Sequence, residues 1–273
     1  MRRLKSDAAG KRAKEPDGKP RSSPKPSPKP SPKLPPRHTA RDLAEILSVL
    51  SHDLRNPLTA MVWNVPALRR SLTPDHPGRR PLEVVARSND EIARMLDDMS
   101  DAARILLGEL PGKLHPEACD FSALVTEAVT SLRPTAEARQ LELSVEIAPG
   151  LGEVVCDRER VARVVSRLLG RAVRVAPKGS AVTVRVGADV DDVRVSVEDA
   201  GPCVPQEDRA SIFDLPAAPT SSGERRPRGA GQGLSLFVAR GVIEAHGGQV
   251  WVEGKSGASR FVFTFPADVE PQA

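Results

Sequence analysis

Residues Leu47–Leu68 read LSVLSHDLRNPLTAMVWNVPAL, and their apolar spacing settles the first half of the fold. With Leu43 included, Leu47, Leu50, Leu54, Met61, Val65 and Leu68 recur at steps of four and three, Pro57 and Leu58 bridging the middle. This heptad-like seam, running from Arg41 to Arg70, is the pattern of a helix packed in a bundle. Residues 71–80, SLTPDHPGRR, are rich in helix breakers and read as a turn. Beyond the turn Leu82, Val85, Ile92, Leu96, Met99, Ala103 and Leu106 repeat the rhythm, with Asn89 at the vacant seam position. Two long amphipathic helices joined by a short connection make an antiparallel hairpin. One hairpin cannot close a core on both sides, so a homodimer through residues 41–110, forming a four-helix bundle, is expected.

His52 lies two residues past the seam position Leu50, off the buried stripe and facing solvent. Asp53 adjoins it, and Asn56 stands one helical turn below. Pro57 removes the N–H that would bond the Asp53 carbonyl, which favours a kink at this level. A neutral imidazole is a good nucleophile near neutral pH, and a neighbouring carboxylate can hold its tautomer and take its proton.

Outward from the hairpin on the N-terminal side, residues 1–40 hold nine prolines, twelve Lys/Arg and three Asp/Glu, a charge of 12 − 3 = +9. The whole chain carries +4, so the remainder carries 4 − 9 = −5, and the basic character belongs to this segment alone. SPKPSPKPSPK repeats Ser-Pro-Lys three times, a composition that forbids helix and ladder pairing and favours an extended arm. Such an arm is a solubilising linker or an electrostatic grip on nucleic acid or another acidic partner. No apolar run has the length of a membrane span, and the N-terminus has no apolar core of a signal peptide. Cys119, Cys156 and Cys203 are scattered, without CxxC spacing, and fit neither a disulfide framework nor a zinc site. The five histidines are too dispersed for a metal cluster, and a reducing, cytoplasmic location fits best.

On the C-terminal side, residues 115–268 alternate strand and helix patterns. Phe121–Leu132 reads as a helix, LELSVEI as a strand, and residues 158–175 as an arginine-rich helix. TVRVGA and VRVSVED have period two; a helix from Leu234 to Ala245 and the strands QVWVEG and RFVFTFP follow. Helices on one face of a mixed sheet form an α/β sandwich, so the chain as a whole is α+β. His246, Gly247 and Gly248 cap the last helix.

EDAGPCVP (198–205) follows a strand directly. Asp199 is an acceptor-only carboxylate suited to an exocyclic amine, and Gly201 lets the backbone approach a flat ring. GAGQGL (229–234) sets Gly229, Gly231 and Gly233 before a helix whose N-terminal N–H groups can cradle phosphate. A Pro/Ser/Arg-rich segment, 215–228, separates the two boxes as a lid.

SHDLRNPL (51–58) resembles the phospho-accepting motif of sensor histidine kinases in two-component signalling. The two glycine boxes resemble those of the ATP-binding domain of the same kinases, the Bergerat or GHKL fold, and IFD (212–214) resembles its Phe-containing box. The resemblance covers roughly residues 41–268. It implies His52 as phospho-acceptor, Asp53 as base, Asn56 as the residue assisting dephosphorylation, and Asp199 as the adenine reader. It also implies ATP as cofactor, held by Gly201, Gly229, Gly231, Gly233 and Leu234, with a response-regulator receiver domain as partner. The implied domains are a basic tail at 1–40, the phospho-acceptor domain at 41–110, the ATP-binding domain at 115–268 and a tail at 269–273.

RVARVVSRLLGRAVR (160–174) departs from that pattern. The family's segment carries two asparagines where this chain has Arg167 and Arg171; Leu168, Leu169 and Ala172 are kept, and Arg174 replaces a lysine. The second asparagine is the family's Mg²⁺ ligand. A guanidinium has five donors and no acceptor, so Arg171 cannot ligate Mg²⁺, and no metal ligand is assigned. Arg163, Arg167, Arg171 and Arg174 are expected on the wall that faces ATP in the related kinases; either Arg171 pairs with phosphate in place of the metal, or the site is empty of nucleotide and the domain is a structural remnant. Cys203 replaces a glycine of the first box, where its side chain crowds the nucleotide or forces an unfavourable φ. Three functions are thus open. The first is an ATP-dependent kinase that phosphorylates His52 and passes the group to a receiver aspartate. The second is a pseudokinase that regulates a partner kinase or regulator by phosphotransfer or phosphatase action. The third is an adaptor tethered to nucleic acid by its tail.

Overall fold

The computed structural model describes residues 37–73, 75–188, 192–215, 233–255 and 258–266. The basic N-terminal arm, the lid and the C-terminal tail expected from sequence lie wholly or almost wholly outside these residues.

Helices α1 (Arg37–Ser71) and α2 (Arg79–Leu107) form the hairpin. α1 is assigned as one helix through Pro57 and Pro66. Ser51 faces Ser100 and Arg55 faces Asp97, so the partners ascend on one helix as they descend on the other: the pair is antiparallel. Leu58, Leu82, Leu96, Ala103 and Leu106 are buried, whereas Leu50, Leu54, Met61, Leu68 and Ile92 are exposed although they sit on the same heptad seams. α2 ends where Gly108 adopts φ +72°, a left-handed cap in which the Gly108 and Glu109 N–H groups bond the Ile105 and Arg104 carbonyls.

The second half begins with two short strands that the sequence pattern does not disclose. β1 (Glu117–Asp120) and β3 (Glu153–Cys156) pair antiparallel in a separate two-stranded sheet. Each is only four residues long, too short for a period-two pattern to stand out. Their pairing brings the free thiols of Cys119 and Cys156 within 3.1 Å in a buried position, where desolvation and the neighbouring thiol raise Cys156 far above the ordinary thiol range. Asp120 caps α3 (Phe121–Ala138) by accepting from the Ala123 N–H at 2.9 Å, and this helix runs past the expected Leu132 through Pro134.

The main sheet contains β2 (Glu142–Ile147), β4 (Ala181–Ala188), β5 (Asp192–Asp199), β6 (Gln249–Lys255) and β7 (Ala258–Pro266), in the order β2-β4-β5-β7-β6. β2 and β4 are parallel and every other pair is antiparallel. Val182, Val184 and Val186, then Val193, Val195 and Val197, then Phe261, Phe263 and Phe265, alternate along three adjacent strands and are buried. They pack with α3, α4 (Arg158–Val175) and α5 (Gly233–Ala245) in one core, and Phe265 sits edge-on to Phe121, Phe263 and His246. The fold is α+β: a helical hairpin followed by an α/β sandwich.

Asp157 is the junction of the second half. Its carboxylate caps α4 through the Arg160 N–H at 3.1 Å and also accepts from the His115 N–H at 3.1 Å. Its own N–H donates to His246 Nε2 at 3.0 Å.

Candidate functional site

On the hairpin, His52 is exposed, its side chain 80% accessible, and Nδ1 lies 3.2 Å from Asp53 Oδ1. In the tautomer with its proton on Nδ1, that N–H donates to Asp53 and Nε2 keeps its lone pair. Asn56 is exposed on the same helix. Two neighbours not singled out from sequence hold this turn against α2. Ser51 is buried, donates to the Ser48 carbonyl at 2.9 Å and accepts from Ser100 Oγ at 3.0 Å. Arg55 Nη2 donates to Asp97 Oδ1 at 2.9 Å. A serine and an arginine next to a conspicuous histidine carry no pattern of their own, and only the opposing helix reveals their use.

In the second domain Asp199 ends β5 and is fully buried, its Oδ1 accepting from the Gly201 N–H at 2.9 Å. Gly201 tolerates no side chain, because a Cβ there would lie 2.6 Å from Asp199 Oδ1 and 2.9 Å from the Val175 carbonyl oxygen. The second carboxylate oxygen is taken by Arg171, whose Nη1 donates to Oδ2 at 3.0 Å. The guanidinium also stacks 4.2 Å from the Phe261 ring centroid. Burial pushes the Asp199 carboxyl up and the Arg171 guanidinium down, and their mutual attraction offsets part of each shift. Arg171 therefore pairs with the carboxylate that the resemblance assigns to adenine. The reason is the vacant lone pairs of a buried carboxylate within reach of a long, planar donor.

Three other arginines of α4 pair with acids. Arg160 Nη1 meets Asp101 Oδ1 at 2.5 Å, Arg163 Nη1 lies 3.6 Å from Asp97 Oδ2, and Arg167 Nη2 bonds Asp98. All three acids belong to α2, so this part of the stripe faces the hairpin. Arg174 is exposed, and its carbonyl accepts from Arg139 Nη2 at 3.0 Å. Gly229 and Gly231 lie outside the described residues. Gly233 opens α5 and Leu234 packs against the core. Cys203 needs no left-handed backbone, since Gln140 is the non-glycine residue with positive φ among the described residues. Its sulfur lies 3.6 Å from Arg209 Nη2, and a Cβ on Gly254 would come within 2.5 Å of it. No group of three or more His, Cys, Asp or Glu side chains among the described residues is arranged to hold a metal ion. The residues do not fit Mg²⁺ at the expected place, because Arg171 offers it no lone pair.

A helical hairpin with an exposed histidine–carboxylate pair, followed by an α/β sandwich of this strand order, defines the architecture of two-component kinases. Residues 42–108 match the His Kinase A (phospho-acceptor) domain, and residues 156–269 match the histidine kinase-, DNA gyrase B- and HSP90-like ATPase domain. The chain belongs to the sensor histidine kinase family. It is 31% identical over 226 residues to the adaptive-response sensory kinase SasA of Synechococcus, which covers 81% of this chain and 58% of that protein. It is also 31% identical to the sensor protein DivL of Caulobacter vibrioides, over 82% of this chain and 28% of DivL. The chain thus spans little more than half the length of the first relative and about a quarter of the second. Full-length ShkA in complex with AMPPNP superposes with TM-score 0.62 at 25% identity, covering 84% of this chain and 47% of ShkA. The kinase ThkA in complex with the response regulator TrrA shares the fold, with TM-score 0.55 at 21% identity over 86% of this chain and 65% of ThkA. No helix among the described residues is long and apolar enough to cross a membrane.

Proposed function

We propose that this chain is a dimeric phosphohistidine protein of a two-component relay in which His52 exchanges a phosphoryl group with a receiver aspartate, while its own loading from ATP is suppressed. The observation that carries this reading is the ion pair between Arg171 and Asp199, which engages the second oxygen of the carboxylate that would read adenine. An adenine amine approaching Asp199 must share Oδ2 with Arg171 or displace it, and displacement strands a buried guanidinium. The chemistry at His52 is independent of that site. Asp53 holds the Nδ1 proton, and Nε2 attacks the phosphorus of an aspartyl phosphate. The N–P bond forms as the P–O bond to the aspartate breaks, and the released carboxylate leaves as the anion. Transfer to the regulator runs the same step backwards, and Asn56, one turn away, is placed to orient water for dephosphorylation.

The ATP-driven kinase is the competing reading, favoured by the exposed His52–Asp53 pair and by the ATP-type domain. The two are separated by incubating the full chain with γ-labelled ATP and Mg²⁺, beside His52→Gln, Arg171→Asn and their combination. Suppression predicts little acid-labile label on wild type, a gain of at least about tenfold for Arg171→Asn, and loss of that gain when His52→Gln is added. Equal labelling of wild type and Arg171→Asn overturns suppression. A receiver domain phosphorylated by acetyl phosphate is offered in a parallel reaction, and failure to label His52 from it overturns the relay.

A further inference from the structure

Three acids of α2 meet three arginines of α4: Arg160 with Asp101, Arg163 with Asp97, Arg167 with Asp98. Asp98 is the centre of the contact. It is 5% exposed, one carboxylate oxygen accepts from Arg167 of α4, and the other accepts from Ser235 Oγ in the first turn of α5. One hairpin side chain therefore bonds both α4 and α5 of the second domain. Next to it Gly241 of α5 lies flush against Ile105 of α2, so close that a Cβ would come within 2.4 Å of the Ile105 Cδ1.

This contact has an apolar part, where Ala102, Ala103, Ile105 and Leu106 of α2 join the core of the second domain, and a polar part beside it. Arg163 Nε, Arg167 Nη1 and Asp101 Oδ2 are buried without a hydrogen-bond partner. Buried charges that are only partly satisfied do not maximise stability. The contact is also level with the phospho-acceptor turn: Ser100, two residues beyond Asp98, bonds Ser51, which adjoins His52. Arg55 of that turn and Arg163 of α4 share the carboxylate of Asp97.

We propose that Asp98 is an interdomain latch, and that position 167 serves the latch rather than a nucleotide. Asp98 clamps Arg167 and Ser235, fixing the second domain against α2 at the level of His52. Release of this carboxylate is the step that frees the domain to move. The inference does not rest on the relay proposed above, and its test reads domain docking rather than phosphoryl transfer.

Native-state hydrogen exchange on the full chain tests it with Asp98→Asn, Arg167→Met and the double variant, with Asp90→Asn on the exposed side of α2 as control. Expected is an acceleration of at least about tenfold in residues 108–116 and at the facing turns of α2 and α4 for each single variant. The double variant should be no faster than the more affected single, since both remove the same pair. The control and the amides of β5 and β7 should match wild type. Unchanged exchange in both single variants overturns the latch. Additive effects in the double variant, or acceleration spread equally through β5 and β7, also count against it, because they mark general destabilisation instead of undocking.

Discussion

At Asp199 a carboxylate with almost no contact with water has its two oxygens in separate hands, one bonded to the Gly201 N–H and one to Arg171. Removing either partner leaves the other charge buried. Asp199→Ala strands the guanidinium and should cost about 3–5 kcal/mol. Arg171→Met strands a carboxylate that keeps only its Gly201 bond and should cost a similar amount, about 3–5 kcal/mol. Urea unfolding of the full chain followed by circular dichroism measures both, and a loss below about 1 kcal/mol in either variant would contradict the pairing. The site was legible in sequence only by residue type. That Arg171 cannot bind Mg²⁺ follows from its chemistry, but that it turns toward Asp199 depends on α4 and the end of β5 meeting at this angle.

At the scale of elements, the end of α5 is pinned to the start of α4 by one imidazole. His246 Nδ1–H donates to the Val242 carbonyl at 2.7 Å and Nε2 accepts from the Asp157 N–H, an arrangement that requires the neutral ring. Burial lowers the His246 pKa from its ordinary 6.5. In the unfolded chain the ring binds a proton near 6.5, and in the folded protein it does so only at lower pH. Between those values the unfolded state holds more protons, so stability is full above 6.5 and falls as pH drops below it. Thermal melts between about pH 5 and about pH 7.5 should show this loss in wild type and a flatter profile in His246→Gln, whose carbonyl still accepts from Asp157. A loss of the same size in both would assign the acid sensitivity elsewhere. The capping role of residues 246–248 was readable from the glycines that follow the helix. The partner 89 residues away was not, because no local pattern links Asp157 to His246.

At the scale of the molecule, a single chain leaves one flank of the hairpin apolar and uncovered. Leu50, Leu54, Met61 and Leu68 on α1, with Val85, Ile92 and Met95 on α2, remain exposed, and Trp63 is 75% accessible. Exposed apolar residues at heptad spacing suit an interface, and the dimer proposed above would cover them with a second hairpin. In the proposed dimer, Leu54→Lys combined with Met61→Lys should give a monomer in sedimentation equilibrium while leaving the far-ultraviolet spectrum of the second domain intact. A dimer that survives both changes would place the interface elsewhere.

The hairpin, the α/β sandwich and the exposed His52–Asp53 pair follow from short-range rules. Heptad spacing, strand alternation and the reach between adjacent helical side chains are all encoded within a few turns of chain. Pairings between distant segments have no such signature. Cys119 and Cys156 stand alone in sequence and meet only because β1 and β3 pair. Arg163 and Arg167 read as part of a face awaiting an anion. Which anion depends on where α2 lies, since a guanidinium accepts any carboxylate that packing brings within its reach. Here packing brings Asp97, Asp98 and Asp101 of the hairpin, and Asp199 for Arg171.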